Sequence, residues 1–292
     1  MPPDYESRQY WNARFDEEKH FEWLGDGIDT IIPHVSSFLL NPQKSGRYRS
    51  NVPARLLHIG AGTSSLSERL RELYISVYGD DVDEIAIVNT DFAETLVARK
   101  REAEAAKCAM GGPQKGMRWV SADALKWNEM SKITGSESEL FDLVVEKSTS
   151  DAISCGEDVT YCGVESNLHP AFHSYLAAEQ GRTLTLSPVE VFAIHLASLV
   201  RPGGLWIALT FSSNRFSFMP PSAGEDPSRP RASDFWTTEE VVTVDAPTGL
   251  EGNAHAPLVQ HYVYIFRRQN AGQRNGKPQK PNNIEIKYSQ PS

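Results

Sequence analysis

The chain is 292 residues long, 40% hydrophobic and 23% charged, with a formal net charge of −9 at pH 7. That length and apolar share suffice for a substantial core, in one large domain or two small ones. The acidic balance and the lack of a basic face argue against a general nucleic-acid binder.

The opening MPPDYESRQYWNARF has neither a basic start nor an apolar run, so no secretory signal is expected. Residues 4–40 read as helical with an aromatic emphasis: Tyr10, Trp11, Phe15, Phe21 and Trp23, then IDTIIPHVSSFLL. NPQKSGRYRSNVP is a polar loop, and from there the pattern alternates. Strand RLLHIG precedes helix SLSERLRELYISVY, and strand EIAIVN precedes helix AETLVARKREAEAAK. GMRWVSAD is a short strand and FDLVVEK a stronger one; LSPVEVFAIHLASLV is a helix, and RPGG turns into strand LWIALTF. LVQHYVYIFRR, alternating and aromatic, suits a closing strand near the sheet edge. Strands alternating with helices predict an α/β, Rossmann-like fold: a mostly parallel sheet with helices on both faces.

MPPSAGEDPSRPRAS (219–233) carries too much Pro, Gly and Ser for regular structure and reads as a mobile loop. The expected organisation is an N-terminal helical lid segment over 1–50, a catalytic domain over 51–268 and a polar, disordered tail over 269–292. No apolar stretch approaches the roughly 20 residues that span a bilayer. Three cysteines (Cys108, Cys155 and Cys162) form no dense disulfide framework. A soluble, cytoplasmic protein that engages neither membrane nor nucleic acid is the expectation.

The most informative stretch is LLHIGAGTSSLSERL, an apolar run that breaks at Gly60 and Gly62 and resumes as a helix. The glycines let a ligand press against bare backbone, and the following helix offers free N–H groups and a positive dipole end. A dinucleotide fingerprint would place a third glycine where this chain has Ser65. Acids then follow in series: Asp91 after a second strand, Asp123 after a third, and Glu146 and Asp151 in FDLVVEKSTSDAI. That series is the pattern of an S-adenosylmethionine (SAM) pocket. At the tip of a strand, Asp91 either accepts hydrogen bonds from ribose hydroxyls, with Phe92 packing nearby, or caps the helix that follows. Asp123 either takes the adenine amine, with Ala124 lending its backbone N–H, or is another cap. Glu146, Lys147 and Asp151 fall at the mouth of a doubly wound sheet and are the catalytic candidates, with a surface ion pair as the bland alternative. His58 and His195 read as packing residues. The spacing of His169 and His173, with Cys162 nearby, is compatible with a metal, but Pro170 interrupts it and no metal site is expected.

YWNARFDEEKHFEWLGD, the glycine turn, IVNTDFAETLV, FDLVVEKSTSDAI and LVRPGGLWIALTFSSNRFSF together resemble one branch of the class I, seven-β-strand SAM-dependent methyltransferases. That branch is related to the lysine methyltransferases of translation elongation factor 1-alpha. The likeness covers residues 10–218. It implies a seven-stranded sheet, with Trp11, Phe15 and Trp23 folding over the cofactor as a lid. Gly60, Gly62, Asp91, Phe92, Asp123, Ala124 and Lys147 would make the SAM contacts. The family run Lys-Gly-Thr-Leu-Asp-Ala stands here as Lys147-Ser-Thr-Ser-Asp151-Ala, and Phe15 replaces a tyrosine. After Ile153 comes a long segment, 154–187, where acceptors enter such folds. The resemblance implies a protein-lysine acceptor; the long segment and the serines favour a small-molecule O-, N- or S-acceptor. A non-catalytic scaffold of the same fold is the third reading.

Overall fold

A computed structural model describes residues 3–41, 52–111, 115–134, 139–164, 168–219, 226, 228–246, 259–270 and 282–285. The helices are α1 (Arg8–Glu17), α2 (Ile32–Leu40), α3 (Leu66–Tyr78), α4 (Glu94–Ala109), α5 (Trp127–Met130), α6 (Thr149–Ile153), α7 (His173–Ala177) and α8 (Pro188–Ala197). The strands are β1 (Leu56–Ile59), β2 (Ile87–Asp91), β3 (Arg118–Ser121), β4 (Phe141–Lys147), β5 (Val159–Tyr161), β6 (Leu184–Leu186), β7 (Val200–Thr210), β8 (Trp236–Asp245), β9 (Gln260–Arg268) and β10 (Asn282–Glu285).

Eight strands form the main sheet in the order β10-β8-β9-β7-β4-β1-β2-β3. β1, β2, β3, β4 and β7 run parallel, while β9 pairs antiparallel with both β7 and β8. Every residue of β1, β2 and β4 is buried, as strands covered on both faces must be. Their side chains alternate between two cores. Leu56, Leu143, Val145, Leu205 and Ile207 meet α2 and α3 on one face; Leu57, Ile59, Val144, Trp206 and Ala208 meet α8 on the other. α8 opens on Ser187, whose side chain accepts from the Glu190 N–H, followed by Pro188. Both are strong start signals, and the helix is buried all round.

Three elements differ from expectation. The N-terminal segment is two helices separated by an irregular stretch, because Leu24, Gly25 and Gly27 adopt left-handed φ and break the run. EIAIVN splits into a 3-10 turn at Glu84–Ala86 and strand β2. β9 lies inside the sheet rather than at its edge, because TTEEVVTVD, half-exposed and without clean alternation, forms β8 outside it. Within 269–292, Asn282–Glu285 pairs in parallel with β8; the rest of that tail, apart from 269–270, falls outside the described residues, as do 220–225 and 227 of the expected loop at 219–233.

The described residues of the segment 154–187 pack into the molecule. β5 and β6 form an antiparallel ribbon, and Tyr161, Phe172, Leu176, Leu184 and Leu186 join the α8 core. The chain visits β1, β2 and β3 on one side of the sheet and then crosses to β4 on the other. The β1/β4 boundary is therefore the topological switch point, and the crevice beyond its carboxyl ends is where a ligand belongs.

Candidate active site

β1 runs into the glycine turn at this carboxyl edge. Gly60 and Gly62 have φ of +65° and +57°. At Gly60 a Cβ would overlap the side chain of Thr149, whose Oγ1 donates to the Ile59 carbonyl at 3.0 Å. Gly60 is thus required by the close approach of the β4–α6 turn. At Gly62 the nearest neighbour of a Cβ would be the Phe15 ring at 3.6 Å, and the Gly62 N–H donates to Asp91 Oδ2 at 2.9 Å.

Asp91 ends β2, and its Oδ1 accepts from the Ala93 N–H at 2.9 Å. Burial pushes its carboxyl up to about 6, against the backbone N–H groups of Ala93, Gly62 and Phe92, which favour the ionised form. With three N–H donors on a carboxylate that has about four acceptor sites, a lone pair remains for a further donor. Asp123 Oδ1 accepts from the Leu125 N–H at 3.0 Å, and Oδ2 lies 3.3 Å from Lys126 Nζ and 3.8 Å from Arg8. The Ala124 carbonyl accepts from His195 Nδ1 at 2.8 Å, which fixes the proton on that nitrogen. Burial holds the His195 imidazole down to about 4, so the ring is neutral.

The N-terminal segment lies against these elements. Trp11 stands 5.3 Å from Phe15 and 6.2 Å from Trp23, centroid to centroid, and Tyr5 and Phe21 complete the aromatic cluster. The Arg14 guanidinium stacks on Trp11, Phe21 and Trp23 at 5.4, 4.7 and 5.3 Å. Arg8 anchors α1 to the domain through Glu94 at 2.9 Å and Glu129 at 3.1 Å.

Between this aromatic cluster and the strand ends is a cavity of about 430 Å³. It is lined by Gly60–Ser64, Asp91, Phe92, Asp123–Leu125, Lys147–Thr149, Asp151–Ile153, Cys155–Glu157, Pro188 and Phe211, with Trp11, Phe15 and Trp23 above. Every predicted cofactor-site residue therefore borders one cavity. Two lining residues, Thr63 and Ser148, carry buried hydroxyls with no hydrogen-bond partner. Orphaned polar groups in a mainly apolar cavity suit a ligand with polar ends.

The three catalytic candidates separate. Glu146 is fully buried, and Oε2 accepts from the Thr149 and Ser150 N–H groups at 2.9 and 3.3 Å, Oε1 from Ser150 Oγ at 2.6 Å. It caps α6 and is not among the residues lining the cavity. Burial, helped by Asp151, pushes its carboxyl up to about 8. Lys147 lines the cavity, but its ammonium donates to Glu22 Oε2, the Trp23 carbonyl and the Gly25 carbonyl at 2.9, 2.8 and 2.6 Å. Asp151 also lines it and accepts from Thr210 Oγ1, the Phe211 N–H and Arg215 Nε. Those bonds hold the turn after β7 that carries Phe211 to the mouth.

Sequence reasoning missed Glu22, which binds Lys147 from 125 residues away, and the hold of His195 on Ala124. It also missed the left-handed backbone of Ser148, φ +59°. A signal for the last existed, since Ser148 stands where the related family has glycine. Among the described residues no group of His, Cys, Asp and Glu is arranged to hold a metal. His169 bonds Ser198 at 2.7 Å and caps the Ala171 N–H at 3.1 Å.

No family model matches the chain. It is 28% identical over 265 residues to methyltransferase srdJ of Neurospora crassa, covering 91% of this chain and 84% of that one. With the sheet order and cavity above, this likeness points to the class I, SAM-dependent methyltransferases. The chain is also 26% identical over 171 residues to EEF1A lysine methyltransferase 4 of Bos taurus, over 56% of this chain and 52% of that protein. It thus spans about half the length of that second relative. Among solved structures, the N-methyltransferase NodS from Bradyrhizobium japonicum with S-adenosylhomocysteine superposes with a TM-score of 0.44 at 14% identity, over 92% of this chain and all of that one. A class I methyltransferase from Listeria monocytogenes gives 0.45 at 13%, over 96% and 73%.

Proposed function

We propose that this enzyme methylates an amine carried on a slender chain, a protein lysine, at the mouth between Glu6, Glu157, Asp151 and Phe211. The observation that carries this reading is the charge of the lining. Its acids are Glu6, Asp91, Asp123, Asp151 and Glu157, and its one Lys or Arg among the described residues, Lys147, is already paired with Glu22. Acids and aromatic rings favour a protonatable amine over an anionic acceptor. The cavity volume is at the low end of the roughly 300–1,000 Å³ typical of a site for one organic ligand. Room for a bulky second ligand is therefore small, and the segment 154–187 fills its own interior with core side chains.

SAM supplies, when bound, an electrophilic methyl on a sulfonium. In this reading Asp91 takes the ribose hydroxyls, and Phe92, Asp123 and Ala124 border the adenine. Gly60 and Gly62 let the cofactor lie against backbone, the hydroxyls of Thr63 and Ser148 serve its polar amino-acid end, and Trp11, Phe15 and Trp23 exclude water. The protein's contribution to rate is orientation, for which roughly 7–11 kcal/mol is the upper end. A lysine amine, with an ordinary pKa of about 10.4, must first lose a proton. The aromatic walls favour its neutral form, the exposed Glu6 and Glu157 orient the incoming ammonium, and the proton passes to solvent. Asp151 places Phe211. The residence we propose is cytoplasmic, consistent with three unpaired cysteines. Among the described residues no helix is long and apolar enough to cross a membrane.

A small-molecule acceptor is the second reading. What favours it is the segment 154–187, longer than the short connection of the related branch, whose Cys155, Gly156 and Glu157 line the cavity. The test is incubation with SAM and, in turn, elongation factor 1-alpha, lysine peptides, small amines, phenols and thiols, read by mass spectrometry. Gain of one methyl on a lysine supports the proposal. Transfer confined to phenols or thiols would overturn it.

A further inference from the structure

We propose that Lys147 and Glu22 form a latch that holds the lid shut over the cofactor, and that Lys147 is a positioning residue whose ammonium bonds the lid rather than cofactor or acceptor. The inference rests on the SAM-site reading above.

An ammonium has three N–H donors. All three of Lys147 go to the lid: Glu22 Oε2, the Trp23 carbonyl and the Gly25 carbonyl. Its side chain is only 4% exposed, so water does not compete for them. With its donors occupied, Lys147 reaches a ligand only by releasing residues 22–25.

Glu22 is bound as firmly on its other side. Its Oε1 accepts from the Ser65 N–H at 2.6 Å and Ser65 Oγ at 2.5 Å, and Oε2 also accepts from Ser64 Oγ at 2.7 Å. Ser64 and Ser65 precede α3, so the carboxylate sits at the positive end of a 13-residue helix. Burial disfavours the charge, but bonds from Lys147, Ser65 and Ser64 outweigh it and hold the carboxyl down to about 2. One lid side chain thus ties the glycine turn to the end of β4, the two walls of the cavity.

The backbone between the latched carbonyls is strained. Leu24, flanked by Trp23 and Gly25, has φ +60°. A bulky residue avoids this region, which costs of order 1–3 kcal/mol unless the surroundings impose it. The left-handed turn is what lets two nearby carbonyls accept from the same ammonium, so the latch holds the strain and the strain returns when the latch opens. Trp23, inside the latched stretch, lines the cavity beside Trp11. The mouth is likewise shared: Tyr5, Glu6, Phe21 and Trp23 come from the lid, Ile153, Glu157 and Phe211 from the domain. It is complete only when the lid is down, which implies that cofactor binds before acceptor.

The test is release of S-adenosylhomocysteine, followed by stopped-flow tryptophan fluorescence, for wild type, Lys147→Met and Glu22→Gln. Hydrogen–deuterium exchange of residues 20–25 in the ligand-free proteins provides a readout independent of activity. Lys147→Met should speed release about 10- to 100-fold, the scale of lost charge-assisted bonds, and raise exchange over 20–25. Glu22→Gln should act in the same direction by less, and both should raise the KM for SAM more than they lower kcat. Acceptor should bind tightly only after cofactor. If Lys147→Met leaves release and exchange at the wild-type level while single-turnover transfer collapses, Lys147 is a catalytic residue and the latch is refuted. If Lys147→Met fails to fold, Glu22→Gln decides: unchanged release and exchange would overturn the proposal. Failure of the wild type itself to bind S-adenosylhomocysteine would instead sink the SAM-site reading.

Discussion

Asp91→Asn separates a ligand-binding carboxylate from a helix cap. Burial lifts the Asp91 carboxyl from 3.8 to about 6. For an acid raised in the folded state, stability is fully present below the unfolded pKa and falls as pH rises through the folded one. At pH 7 the buried charge therefore costs the ligand-free fold about 3 kcal/mol, at about 1.4 kcal/mol per decade. Asparagine removes that cost. It also offers one carbonyl where two oxygens now accept from Gly62 and Ala93, so one N–H loses its partner at a cost of about 1–3 kcal/mol. The net change in stability is then between about zero and a gain of 2 kcal/mol, read from urea unfolding at pH 7. SAM affinity should fall by about 1.5–3 kcal/mol, read by calorimetry, because hydroxyls lose a charged acceptor. In the wild type, affinity should weaken about tenfold between pH 7 and pH 5 as Asp91 takes up its proton, and in the variant that slope should vanish. Unchanged affinity together with a stability loss above about 2 kcal/mol would refute this reasoning and leave Asp91 as a cap alone.

Three further outcomes are expected. Ser148→Gly should raise the melting point, by about 1 kcal/mol of stability, because it relieves a left-handed serine and removes an orphaned hydroxyl; a loss in the ligand-free protein would mean that the hydroxyl is satisfied. Glu146, lifted to about 8 by burial, contributes stability that is fully present below its ordinary pKa of 4.5 and declines as pH rises through 8. Thermal melts from pH 6 to 9 should show that decline in the wild type, and Glu146→Gln should flatten it. Glu6→Gln with Glu157→Gln should raise the KM for an amine acceptor about 3- to 10-fold with little effect on SAM affinity, and an unchanged KM would remove both rim acids from acceptor recognition.

Much of the fold was legible because its signals are local. LLHIGAGTSS places a buried strand, two left-handed glycines and a helix start in consecutive residues, and the structure sets them at the switch point. The acids at Asp91 and Asp123 follow strand ends, and both border the cavity. What escaped depended on distance or direction. Glu146 and Lys147 are adjacent at a strand end, yet one caps α6 and the other reaches a lid 125 residues away. A sequence gives their order and not which neighbour each will meet. Leu24 has no feature of a left-handed residue; its backbone is imposed by tertiary bonds. β8 was overlooked because a half-exposed strand such as TTEEVVTVD lacks the apolar run that marks β4.

The central claim is best tested by calorimetric titration of the intact protein with SAM and, separately, with S-adenosylhomocysteine at pH 7.5. The account predicts one site of micromolar or tighter affinity for each, weakened by Asp91→Asn. No heat and no binding from a well-folded sample would contradict it, and would leave a methyltransferase fold that serves some other purpose.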